Sequence, residues 1–173
     1  MTAMDSAHAS LSSGDTYERL LELLDQQGVR YRLIDHPPEG RTELVSAMRG
    51  HDVRHAAKCM ILLVKQGKKV TRYVLAVVPG NARVDFQAIK LLLQATYVSF
   101  ASPETTVQLS GAPTGAVLPF SFHSSLNLIV DPSLLDSSEI YFNAARLDRS
   151  MALNTEDYVA VAKPRLASIA VAS

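Results

Sequence analysis

Residues 57–78 read AKCMILLVKQGKKVTRYVLAVV, and this stretch decides the fold. Met60 to Val64 is an unbroken apolar run, and Val74 to Val78 is another. Between them, Gln66-Gly67-Lys68-Lys69 supplies a turn. Two short apolar runs joined in this way predict a β-hairpin whose first strand is buried on both faces. One residue does not fit. Lys58 stands at the entrance of that strand after two alanines, and lysine is rarely buried without a partner. Its plain reading is a side chain that carries its ammonium out from a strand end into water. Its functional reading is a cation aimed into a pocket that binds an anion or an ester carbonyl.

The flanks extend the pattern in both directions. Asp15 and Glu18 form a capping box before YERLLELLDQQG, where Leu20, Leu23 and Leu24 have helical spacing and Gly28 can end the helix. VRYRLI alternates as a strand, and the paired prolines of DHPPEG forbid regular structure. Thr42 is expected to cap a short helix, ELVSAMRG, closed by Gly50. Downstream, PGN leads into a helix DFQAIKLLL, YVSFA is a strand, and Ser102-Pro103 opens a helix PETTVQL. A long non-helical stretch follows, then strands LNLIVD and EIYFNAA. Asn154 caps a last helix that ends near Pro164. Strands and helices mix without a strict βαβα alternation. The α/β class expected is therefore a mixed α+β domain with antiparallel pairs, not a doubly wound sheet. Residues 1–13, small and polar, are expected to be a loose tail, and residues 14–173 one domain.

Composition narrows the function. A chain of 173 residues can bury a core without staples, and its single cysteine allows no internal disulfide, which suits a reducing compartment. No apolar run approaches the roughly 18–20 residues that span a bilayer, and the first residues lack the basic and apolar regions of a signal peptide. The formal net charge is zero, which argues against indiscriminate DNA binding. The charges are nevertheless segregated. Seven Lys or Arg and no acid lie between Val53 and Val84, whereas seven acids and two arginines lie between Ser99 and Ala160. Lys65, Lys68, Lys69 and Arg72 flank the hairpin turn. Such a region could meet a phosphate backbone, but on sequence alone the solvated hairpin is the favoured reading.

Candidate chemistry is sparse. Strand parity turns Cys59 away from Lys58 and onto the face of Ile61 and Leu63, where a cysteine is packing rather than a nucleophile. His36, His51, His55 and His123 lack metal-ligand spacing, and no metal site is expected. There is no phosphate-cradling glycine motif and no G-x-S-x-G elbow. Gly115 and Pro119, spaced G-x-x-x-P in a nearly uncharged loop, could present backbone amides to a carbonyl oxygen or a terminal phosphate.

Three segments, AAKCMIL (56–62), GAVLPF (115–120) and YFNAARLDRSMAL (141–153), occur in an order and separation that resemble the YbaK/prolyl-tRNA-synthetase-associated domain, most closely its YeaK branch. The resemblance runs from about Tyr17 to about Pro164. It implies a partly closed, mostly antiparallel sheet surrounded by helices. It also implies cytoplasmic, free-standing trans-editing: hydrolysis of the ester joining a wrong amino acid to the 3′ end of a tRNA, with no cofactor and no metal. The family's central lysine maps to Lys58, and its G-x-x-x-P to Gly115 and Pro119. Lys58 and Gly115 are then the catalytic pair. Pro119, Asn143, Ala144, Ala145, His36 and Thr42 are the substrate-binding residues expected, although the plain reading of His36 is a solvent loop histidine. Lys65, Lys68, Lys69 and Arg72, from the charge pattern, are the tRNA contacts expected. Ala145 stands where the family usually has glycine. The partners implied are the acceptor end of an aminoacyl-tRNA and, transiently, an aminoacyl-tRNA synthetase. Two other readings of the same residues stay open. One is a module that holds a tRNA 3′ end or a nucleotide without turnover. The other is an enzyme whose lysine forms a Schiff base with a carbonyl substrate.

Overall fold

The computed structural model describes residues 13–173. The tail expected over 1–13 lies outside the described residues except for Ser13, which begins α1 (Ser13–Gln26). Asp15 therefore sits inside the first turn and not before it. The chain continues through β1 (Tyr31–Asp35) and α2 (Thr42–Arg49) to the hairpin of β2 (Ala57–Gln66) and β3 (Val70–Pro79). A short β4 (Ala82–Val84), α3 (Phe86–Leu93), β5 (Tyr97–Phe100) and α4 (Pro103–Ser110) follow. After a long loop come β6 (Leu126–Val130), β7 (Glu139–Asn143), β8 (Arg149–Asn154), α5 (Thr155–Ala162), β9 (Arg165–Leu166) and β10 (Ala170–Ala172).

The hairpin is the centre, as the apolar runs predicted. It pairs Ala57 with Pro79 through to Gln66 with Val70 and sits inside a five-stranded sheet of order β5-β2-β3-β6-β9. A three-stranded sheet, β1-β8-β7, touches it through the bridge of Ala56 with Tyr141. Most pairs are antiparallel; β3 with β6 and β6 with β9 are parallel. The hairpin's alternation sends side chains into two separate cores. Ile61, Leu75 and Val77 face one core, with Leu20, Leu24, Phe142 and Tyr158. Leu62, Val64, Val74, Ala76 and Val78 face the other, beneath α3 and Ile89. Each buried Val, Leu or Ile among them contributes about 1.5–3 kcal/mol, so a strand apolar on both faces anchors both layers.

Local chemistry explains the helix ends. Asp85 accepts from the backbone of Gln87 and Ala88, Ser102 from Thr105, and Asn154 from Asp157. Gly50 closes α2 in the left-handed region at φ 79°. Thr42 is not a cap. Arg41 occupies that position without a side-chain cap bond, and Thr42 is the first helical residue, free to face elsewhere. No described helix is long and apolar enough to cross a membrane.

Candidate active site

The two sides of β2 differ. Toward β3 it is paired along its whole length, but toward β5 only Leu62 to Lys65 are paired. Backbone groups alternate between the two edges of a strand. Ala56 O accepts from Gly80 N on the β3 side, and Ile61 O accepts from Ala101 N on the other. By that alternation, the N–H and C=O of Cys59 point to the open edge, between the Tyr141 bridge and Ala101. A cavity of about 440 Å³ lies along this edge. Its walls come from α2 (Thr42, Val45, Arg49), from β5 and α4 (Phe100, Thr106), from Thr114, Gly115 and Val117, and from Asn143. None of its lining residues is Asp, Glu or His.

Lys58 is half-buried at this cavity, and its Nζ donates to Ala82 O at 2.6 Å. An ammonium has three donors, so two remain for a ligand. Gly115 lies on the rim with φ 91°, where a Cβ would stand 2.8 Å from the Cα of Gly40. Only glycine combines that left-handed backbone with that close approach. Asn143, 5% exposed, holds the two loops together. Its Nδ2 donates to Glu39 O at 2.8 Å and to Gly115 O at 3.0 Å.

Behind Asn143 is a polar cluster that the sequence did not reveal. Arg49 Nη2 and Ser150 Oγ both donate to Asn143 Oδ1, at 3.1 and 2.9 Å. Arg49 also donates through Nε to Ser150 and through Nη1 to His51 Nε2. Arg49 has no acidic partner among the described ion pairs. Burial brings its guanidinium down to about 10, which still leaves it charged at neutral pH. A buried cation held only by neutral acceptors is a ready partner for an electron-rich group in the cavity. Burial likewise lowers His51, which stacks on Tyr141 at 3.8 Å.

The predicted residues divide. Lys58, Thr42, Gly115 and Asn143 meet at the cavity. Pro119 is buried behind the loop, and its carbonyl accepts from Tyr158 at 2.6 Å. Ala144 and Ala145 are fully buried, Ala145 in the left-handed region at φ 62°. His36 lies outside the lining, with Nε2 2.6 Å from Ser150 Oγ. Cys59 lines the cavity, but burial pushes its thiol far up, away from the reactive thiolate. The hairpin cations are exposed and do not form one stripe. Lys65 lies against Tyr97, whereas Arg72, paired with Val64, faces the other side of the sheet and donates to Gln66. Arg49 could have been suspected only as a cation ending a short helix, which the helix dipole alone explains.

The sequence profile of the aminoacyl-tRNA editing domain matches residues 36–161. The chain belongs to the aminoacyl-tRNA editing domain family. A multifunctional Ser/Thr-tRNA deacylase, ProXp-y, of Escherichia coli K12 is 38% identical over 152 residues, which cover 87% of this chain and 90% of that protein. A proline–tRNA ligase of Thermosipho melanesiensis is 26% identical over 131 residues, 75% of this chain but 22% of the ligase. In three dimensions, the crystal structure of a candidate trans-editing enzyme for prolyl-tRNA synthetase superposes with a TM-score of 0.75 at 19% identity, covering 89% of this chain and 96% of the other. That likeness speaks for the fold. The editing-domain chain described here is an aminoacyl-tRNA deacylase, and Lys58 and Gly115 line one cavity in it.

Proposed function

We propose that this deacylase removes serine or threonine from wrongly charged tRNA in trans, using the open edge of β2 as its reading surface. The observation that carries the proposal is the position of Cys59 on the stretch of β2 edge that β5 does not pair, in a cavity also lined by Lys58 and Gly115. An aminoacyl ester presents an ammonium donor next to a carbonyl acceptor. The C=O and N–H of Cys59 are complementary to that pair in the manner of a strand added to a sheet edge. Side-chain size is then read by the walls, where Thr42, Thr106, Thr114 and Arg49 offer polar partners suited to a hydroxyl. The likeness to the Ser/Thr-tRNA deacylase supports this choice of amino acid.

The chemistry needs little from the protein. The ester is already activated, and no side-chain base lines the cavity. Water attacks the carbonyl carbon, assisted by the neighbouring ribose hydroxyl. The bond to the ribose oxygen breaks, that oxygen takes a proton, and the free amino acid leaves. Lys58 supplies positive charge where the oxyanion or the adjacent phosphate lies, and the Gly115 loop fixes the carbonyl, so that positioning and electrostatics carry the rate.

The deacylase would work in the cytoplasm, near a synthetase that makes the error. The matching segment inside a proline–tRNA ligase supports such an association. Lys65, Lys68, Lys69 and Arg72 would meet the acceptor stem. Lys65 lies seven residues along β2 from Lys58, about 23 Å at the rise of a strand, so these cations act well away from the ester. A panel of tRNAs charged with serine, threonine, alanine, proline and valine tests the proposal. Release of serine and threonine is expected. Binding of the acceptor end with no hydrolysis of any charged tRNA would overturn it and leave a non-catalytic module.

A further inference from the structure

A second cavity, about 460 Å³, adjoins the first on the α3 side of the sheet. Lys58, Met60 and Phe100 line both. The register explains why. Phe100 pairs with Leu62, so its ring projects from the same face as Met60 and Lys58. Phe100 is 59% exposed although it is one of the larger apolar side chains, and its ring packs against that of Phe86 with centroids 4.9 Å apart at 67°. An aromatic ring held by a neighbour yet largely exposed at the lip of a cavity is a platform for a flat ligand. Arg83 stands across the cavity on β4, exposed and without an ion pair among the described residues. The same β4 supplies Ala82 O, which anchors the Lys58 ammonium. Asp85 lines the cavity too, but its Oδ1 is committed to capping α3, which leaves Oδ2 as an acceptor.

We infer that this second cavity seats the terminal nucleoside of the tRNA, its base stacked on Phe100 and its phosphate between Lys58 and Arg83. The inference rests on the deacylase reading and adds the nucleoside site. A substrate with a planar base, a ribose, an ester and an amino acid must run through both cavities if its acyl group lies on the β2 edge. Lys58, common to both, then marks the ester. An aromatic face with two cations is the usual chemistry for a single-stranded end, and it reads the base loosely because every base has a π-face. Oδ2 of Asp85 suits an exocyclic amino group or a ribose hydroxyl.

The test uses the uncharged trinucleotide CCA, which carries no ester. The chain contains no tryptophan, so Phe100→Trp is both a conservative stacking variant and a fluorescent reporter. Titration calorimetry on the wild type and on Phe100→Ala should show about tenfold weaker CCA binding in the variant. Phe100→Trp should keep wild-type affinity, and its emission should be quenched by CCA. Arg83→Gln should lower the slope of log affinity against log salt by about 1. CCA binding by Phe100→Ala at wild-type strength, a Phe100→Trp emission that CCA leaves unchanged, or no CCA binding to the wild type at millimolar concentration would overturn the inference. The outcome separates the two claims. A protein that binds CCA through Phe100 but hydrolyses no charged tRNA keeps this site and loses the deacylase reading. A protein that deacylates but binds CCA indifferently to Phe100 does the reverse.

Discussion

Replacing Asn143 with alanine should loosen both the fold and the site. Asn143 makes four side-chain hydrogen bonds, two given to Glu39 O and Gly115 O and two accepted from Arg49 and Ser150. A net value of about 1 kcal/mol per bond gives about 4 kcal/mol. Water entering from the adjoining cavity offsets part of this, because the two loop carbonyls are near its rim. A loss of about 3 kcal/mol is the expected figure. In a chain of this length, 1 kcal/mol moves the melting temperature by roughly 2–4 °C, so Asn143→Ala should melt about 6–12 °C lower. The catalytic effect has a different origin. Without Asn143, the Gly115 loop loses the side-chain bridge from Gly115 O to Glu39 O, and a misplaced donor acts mainly on the transition state. Steady-state deacylation should therefore show kcat falling by at least tenfold while KM changes little. Thermal melting by circular dichroism, run alongside release of labelled amino acid from charged tRNA, measures both. A variant that melts within about 2 °C of the wild type and keeps its kcat would refute the reasoning.

Other substitutions probe different parts. Arg49→Met removes a buried cation with no acidic partner among the described residues, so stability should stay within about 1 kcal/mol while deacylation falls at least tenfold; melting and turnover measured on one preparation check this. Burial pushes the Asp131 carboxyl up, but bonds from Ser133 and from the main chain of Ile169 and Ala170 outweigh it and leave its pKa lowered. A lowered carboxylate stabilises the fold above its unfolded pKa, near 4, and that contribution is lost as pH falls through the folded pKa. Asp131→Asn should cost about 2 kcal/mol at pH 7 and flatten the acid limb of the stability profile, as denaturant melts from pH 7 to pH 3 would record. Changing Lys65, Lys68 and Lys69 together to alanine should raise KM for charged tRNA and flatten its salt dependence, yet spare a minimal aminoacyl-adenosine ester; equal losses on both substrates would assign the hairpin a structural role.

Much of this molecule was written in local pattern. The hairpin, its two-faced burial and the caps at Ser102 and Asn154 follow from apolar runs and short polar side chains that act on their own neighbourhoods. The weaker strands were not legible. β4, β9 and β10 are three residues or fewer and exist because partners far along the chain hydrogen-bond to them. RSMALN does not alternate, because β8 is the middle strand of its sheet and its four central residues, Ser150 to Leu153, are buried on both faces. The site shows the same division. Lys58 stood out because a lysine before a buried strand conflicts with its surroundings. Arg49 and Ser150 did not, since an arginine at a helix end and a serine in a strand conflict with nothing until folding brings Arg49, about a hundred residues away, to Asn143 and Ser150. The open edge of β2 is a property of pairing, set by where β5 stops, and no residue type announces it.

The central claim is that the Lys58 ammonium, at the junction of the two cavities, drives hydrolysis of the aminoacyl ester. Single-turnover hydrolysis of Ser-tRNA by Lys58→Ala, on protein shown by circular dichroism to be folded, tests it most directly. The account predicts a rate constant at least about a hundredfold below wild type, the scale seen when one oxyanion donor is removed. A folded Lys58→Ala protein that hydrolyses Ser-tRNA within a few-fold of the wild-type rate would contradict it.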